Sequence, residues 1–215
     1  MKALLRNIKR SMFHRLKLYP IYRVISAINS KYPLQGSVAL EAFAYTGELQ
    51  TRAFKKYPSY LEAWEISQDC ETALRKNLPG AVIKIVDSIE EAKHCDKKFN
   101  FINVDTHQGL FGPYCENFEI FPLLFRMMQD ECTVNLNVMP EASEQWRKTY
   151  PGLFNKEHLE RREAFYKTGD PEHVSLEQML ATYGRIAAEK GYKIIWHYYR
   201  RRTLTYYLVL RFKKA

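Results

Sequence analysis

Four carboxylates and a histidine in this 215-residue chain stand where a site is easiest to build, at the ends of short apolar runs. Glu41 follows Val38, Ala39 and Leu40, and Glu65 closes the run Tyr60 to Ile66. Asp87 and Ser88 follow Ala81 to Val86, and Asp105 follows Phe99 to Val104 with His107 two residues on. A carboxylate at a strand end can accept N–H and O–H donors. Asp105 and His107 could act as a base on a hydroxyl or carboxylate acceptor, since imidazole titrates near pH 6.5. They could also contribute to a divalent metal site, or His107 could be a loop histidine. The stretch VALEAFAYTG, Val38 to Gly47, is the most telling. Ala44, Thr46 and Gly47 keep the turn after Glu41 narrow, so backbone N–H groups and the N-terminus of a following helix can approach a polar ligand closely.

Alternating elements must position these residues. Val38 to Leu40, Tyr60 to Ile66, Ala81 to Val86, Phe99 to Val104 and Cys132 to Val138 read as strands, each apolar enough for a sheet covered on both faces. Between them lie helix candidates. Glu48 to Lys56 carries Leu49, Ala53 and Phe54 on one side. Ser67 is a plausible N-cap for a helix bearing Cys70, Ala73, Leu74 and Leu78, stopped by Pro79-Gly80. Ile89 to His94 forms a short helix, and Glu116 to Gln129 holds a Phe- and Leu-rich one. Strands alternating with helices predict a parallel, doubly wound α/β sheet. The last third departs from this. Ser175 to Lys190 is an amphipathic helix with a Ser175/Gln178 capping box and Gly191 at its end. Tyr192 to Tyr199 and Leu204 to Phe212 are separated by too few residues to cross a sheet, so they form an antiparallel hairpin.

Five βα units, a helix and a terminal hairpin resemble the class I S-adenosylmethionine-dependent methyltransferases, over roughly Val38 to Phe212. The resemblance implies a mostly parallel, Rossmann-like seven-stranded sheet with a C-terminal antiparallel hairpin, and S-adenosylmethionine as cofactor. It implies that the turn Glu41, Ala44, Tyr45, Thr46 and Gly47 lies against the methionine part. It also implies that Glu65 holds the ribose hydroxyls, that Asp87 faces the adenine amino group with Ser88 beside it, and that chemistry sits at Asp105 to Gly109. Phe43 and Tyr45 stand where the family usually has glycines, and FAYTG is similar to a variant seen in some ribosomal-RNA methyltransferases. DTHQGLFG at the fourth strand lacks the two prolines of enzymes that methylate base amino groups. The resemblance therefore implies methyl transfer to a small-molecule or glycan-like acceptor, with Asp105 and His107 as catalytic residues. An RNA methyltransferase, or a non-catalytic binding module on a decayed methyltransferase fold, is the alternative.

The remaining features concern partners. Residues 1–40 hold eight Lys or Arg and no acid, within a net charge of +9. Leu5, Ile8, Met12 and Leu16 fall on one helical face there. A basic amphipathic helix can lie on an anionic membrane, bind a nucleic-acid backbone, or dock on its own domain. Tyr19 to Ile28 reads as a second helix packed on the sheet. We expect a basic helical region over 1–36 and one domain over 37–215, with an insertion near 139–174 that carries Trp146, Tyr150, Phe154, Phe165 and Tyr166 and recognises the acceptor. Lys156 to Lys167 reads as a solvated helix face, and Arg200 to Arg202 as a solvated turn. The acid-free start also resembles a mitochondrial presequence but is taken as part of the fold. No apolar run approaches a membrane span. Cys70, Cys95, Cys115 and Cys132 are scattered, which fits reduced thiols rather than a zinc site or disulfides. We expect a cytoplasmic protein, with peripheral attachment to a membrane as the alternative.

Overall fold

The apolar runs become strands of one sheet in the computed structural model, which describes residues 20–106, 117–141, 144–149, 154–202 and 205–215. The strands are β1 (Val38–Ala42), β2 (Tyr60–Glu65), β3 (Val82–Ile85), β4 (Phe99–Val104), β5 (Met128–Val138), β6 (Tyr192–Arg201) and β7 (Tyr206–Lys214). Their order is β3-β2-β1-β4-β5-β7-β6. The first five run parallel, while β7 is antiparallel to both β5 and β6. Strand order reverses between β1 and β4, and the crevice at such a switch point is where open α/β sheets bind ligands.

Helices cover both faces because the strands are apolar on both. Against one face, Leu40, Ile102, Val134 and Leu208 pack with Ile89 of α4 (Ser88–His94), Phe121 and Leu124 of α5 (Phe121–Met127), and Met179 and Tyr183 of α8 (Leu176–Glu189). Against the other, Ala39, Ala63, Phe101 and Val209 pack with Ile21, Val24, Ile25 and Ile28 of α1 (residues 20–31), Phe54 of α2 (Thr51–Phe54) and Leu74 of α3 (Glu71–Asn77). The capping box at α8 is present, with Ser175 Oγ accepting from Gln178 N–H and Gln178 Oε1 accepting from Ser175 N–H. No described helix is long and apolar enough to cross a membrane. Residues 1–19, the basic amphipathic stretch, lie outside the described residues, as do His107 and Cys115.

Three elements differ from expectation. The helix over 48–56 shrinks to the single turn α2, because residues 43–50 are used in the turn after β1 and Pro58 follows closely. Ser67 does not cap with its side chain; a 3-10 turn, Gln68–Cys70, leads into α3 instead, and Ser67 N–H donates to Glu65. Strand β5 begins at Met128, earlier than its apolar residues suggest. Its polar start, Asp130 and Glu131, is matched by Lys214, Arg211 and Lys213 of β7, so charge pairing across strands extends the ladder where hydrophobicity does not.

Candidate active site

The turn after β1 is built from left-handed residues. Phe43 has φ 61°, Tyr45 φ 50° and Gly47 φ 69°, so two aromatics adopt conformations that glycine enters freely. Neighbouring strands and helices hold them there. Phe43 N–H donates to Ser88 Oγ (3.2 Å), Ala44 N–H to Trp64 O (2.8 Å), Tyr45 N–H to Glu65 Oε2 (2.7 Å), and Asn77 Nδ2 to Thr46 O (2.8 Å). Phe43 packs against the core, whereas Tyr45 is 52% exposed.

The acids divide into two groups. Glu41, 2% exposed, turns inward. It accepts from Thr51 Oγ1 (2.9 Å) and Asn103 Nδ2 (2.6 Å), and burial pushes its carboxyl well above the ordinary range. It therefore ties α2 and β4 to β1. Glu65 and Asp87 sit at the ends of adjacent strands. Glu65 Oε2 takes the Tyr45 amide and Oε1 the Ser67 amide at 2.9 Å. Asp87 Oδ1 caps α4, accepting from Ile89 N–H (2.8 Å) and Glu90 N–H (3.2 Å). Ser88, 3% exposed, anchors Phe43. Ile66, directly after Glu65, is 66% exposed, and sequence reasoning did not single it out.

At the other side of the switch point, Asp105 Oδ1 accepts from Asn137 Nδ2 (2.8 Å) and Arg202 Nη1 (2.9 Å). Asn137 also accepts from Thr106 N–H and Oγ1 and donates to Thr106 O, and Asn117 Nδ2 donates to Asn137 O (2.7 Å). The Arg202 guanidinium lies 5.5 Å over the Tyr207 ring, and burial pushes the Tyr207 hydroxyl up. Arg202 is thus not part of a solvated turn, its side chain being 22% exposed and paired. The signal that could have found Asn137 was present: Thr133, Asn135 and Asn137 put a polar side chain at every second position of a buried strand. Nothing local foretold Arg202, whose partner is 97 residues away. Among the described residues, no cluster of three or more His, Cys, Asp or Glu is placed to hold a metal.

The insertion after β5 is tied at its base and packs against α8. Of its helices, α6 (Glu144–Thr149) and α7 (Lys156–Tyr166), the second is not a purely solvated face, because Arg162 is 0% exposed. Arg162 donates to Pro171 O, Met139 O and Pro140 O, and its guanidinium lies over Phe154 and Tyr166. Five N–H donors and a flat cation suit that knot of carbonyls and rings. Phe165 and Tyr166 pack with Phe118 and Tyr183.

No family model and no curated protein matches the chain. Solved structures do match. A plantazolicin methyltransferase, in complex with a triazolic desmethylPZN analogue and S-adenosylhomocysteine (SAH), matches with TM-score 0.61 and 12% identity over 100% of this chain and 90% of that one. The magnesium protoporphyrin IX methyltransferase from Synechocystis PCC 6803, with bound SAH, gives TM-score 0.57 and 10% identity over 91% and 81%. The ribosomal protein L11 methylase from Lactobacillus delbrueckii subsp. bulgaricus gives 0.51 and 13% over 93% and 77%. At such identities the likeness concerns the fold, and the chain has the class I, Rossmann-like methyltransferase fold.

Proposed function

We propose that this chain transfers a methyl group from S-adenosylmethionine to an acceptor docked where β4 and β5 end. One arrangement carries the reading: Glu65 and Asp87 end adjacent strands, exposed Ile66 lies beside them, and a left-handed turn borders the switch point. A nucleoside asks for acceptors toward its ribose hydroxyls and amino group and an apolar surface for its base. These residues fit it. Glu65 keeps lone pairs beyond those taken by two amides, and Asp87 Oδ2 has no partner among the described residues. Two structural neighbours hold SAH, which supports the same cofactor here. The exposure of Tyr45 and the packing of Phe43 speak against a decayed, plugged site.

When bound, the cofactor supplies a methyl group already activated on a sulfonium, so the protein has mainly to align the acceptor. Asp105 is suited to that task. Asn137 and Arg202 fix one carboxylate oxygen, and Oδ2 remains for an acceptor N–H or O–H. His107 is the candidate base where a hydroxyl must lose its proton. The insertion over 139–174 flanks this end and would select a small-molecule or glycan-like acceptor. An RNA acceptor is the second reading, favoured by the charge distribution described below.

Calorimetric titration of the folded chain with SAH tests the cofactor. Binding is expected, and Glu65→Ala should weaken it by about a hundredfold or more, the loss of two hydrogen bonds to a charged group. A folded wild-type chain that takes up no SAH would overturn the reading.

A further inference from the structure

Charge is segregated along this chain. Residues 1–40 carry eight Lys or Arg and no acid, and residues 192–215 carry seven and no acid. The residues between hold the other eighteen cations against all twenty-four acids. The described parts of these two acid-free regions meet in space. Lys31 Nζ lies 5.8 Å over the Trp196 ring, Tyr32 packs edge-on to Trp196 at 5.5 Å, and the Arg211 guanidinium lies 4.7 Å from the Tyr32 ring.

A bulge in the edge strand β6 arranges the side chains. Ile194 pairs with Phe212 and Trp196 with Arg211, so Ile195 is one residue extra. Without it, Lys193 and Trp196 would project from opposite faces. With it, Lys193, Trp196, Tyr198 and Arg200 share the face on which α1 packs. The Trp196 and Tyr198 rings are near parallel, 6.3 Å apart at 16°. Arg200 Nη1 donates to Tyr198 Oη at 3.4 Å, and its buried Nε has no partner among the described residues. Glu131, the acid opposite Lys213, is taken by Arg211 and Lys213. Lys31, Lys193 and Arg200 have no carboxylate partner among the described residues.

We infer that this strip binds single-stranded nucleic acid, with bases against Trp196 and Tyr198 and phosphates at Lys31, Lys193 and Arg200. Two adjacent rings flanked by cations along a strand answer the two repeating groups of a single strand, a π-face and an anion. A bilayer would ask for several apolar anchors protruding around the charge, whereas Ile195 is the one exposed large aliphatic among the described residues of β6. The strip runs along β6 toward Arg202, whose guanidinium holds Asp105. A bound strand is therefore led to the end of β4. That last step rests on the methyl-transfer reading with an RNA acceptor; the binding face does not.

Fluorescence anisotropy of the full chain with a labelled oligouridylate, over a salt series, tests the surface. Wild-type binding should weaken steeply with salt. Lys31→Glu with Lys193→Glu, both exposed positions, should cost at least tenfold at low salt and flatten the log–log slope by about 1.4, roughly 0.7 for each lost phosphate contact. Trp196→Leu should weaken binding several-fold with the slope unchanged, because it removes stacking and no charge. SAH titrations of the same variants should match wild type, which separates this surface from the cofactor site and reports that they are folded. The proposal is overturned by a wild-type chain that does not bind the oligonucleotide. It is equally overturned if the double charge reversal binds like wild type, or if phosphatidylserine vesicles bind and the oligonucleotide does not displace them.

Discussion

Phe43 and Tyr45 accept left-handed backbone where glycine would sit freely, at a cost of about 1–2 kcal/mol for each. Amides bonded to Ser88 and Glu65 hold them there. Gly47 is different in kind. A Cβ on it would lie 2.9 Å from Leu78 Cγ, at φ 69°. Gly47→Ala should destabilise the chain by about 1–3 kcal/mol, read as a lower urea midpoint at constant slope. Adding Leu78→Ala should not restore the midpoint, because the backbone strain remains and a cavity is added. An unchanged midpoint for Gly47→Ala would mean that the turn is looser than its hydrogen bonds imply. The residue types at the turn were legible in the chain, but the way Phe43 and Tyr45 replace glycine was not. That depends on partners donated by β2 and α4, which lie far along the sequence.

Between elements, Glu62 pins β2 to β3 and α4. It is 2% exposed and accepts from Tyr60 Oη (2.6 Å), Trp64 Nε1 (2.7 Å) and Lys84 Nζ (2.8 Å), while Lys84 also pairs with Glu91. Burial alone would raise its carboxyl, but the bonds from Lys84, Tyr60 and Trp64 outweigh burial and hold it below its ordinary value of 4.5. The stability it contributes is therefore present above about pH 4.5 and lost as pH falls through its folded value. Glu41 has the opposite sense. Its raised carboxyl favours the fold below pH 4.5, and that contribution is lost as pH rises through the folded value. Glu62→Gln should cost about 1–3 kcal/mol at neutral pH and flatten the acid side of a stability profile. Glu41→Gln should remove the opposing slope. Parallel profiles for both variants and wild type, by urea unfolding from pH 2 to 8, would refute these assignments. Strand identities, the capping box at α8 and the β6–β7 hairpin were legible because each is written in a local pattern. The polar start of β5 and the burial of Arg162 were not, because each is satisfied by groups from other elements.

At the scale of the whole molecule, strand order does most of the positioning. The reversal between β1 and β4 brings the turn, Glu65 and Asp87 to one side of a crevice and Asp105 to the other. The acid-free hairpin then delivers Arg202 to Asp105 and a cationic, aromatic face beside α1. The positions of the four strand-end acids could be read from the chain. That Glu41 turns inward could not, since it follows from Asn103 and Thr51 reaching it. A crystal structure of the full chain grown with SAH decides whether this crevice is the cofactor site. Ribose hydroxyls should bond to Glu65, the base should lie against Ile66 with its amino group toward Asp87, and the sulfur should face the crevice beside Asp105. SAH lodged elsewhere, or a crevice that stays empty at saturating SAH, would contradict that assignment.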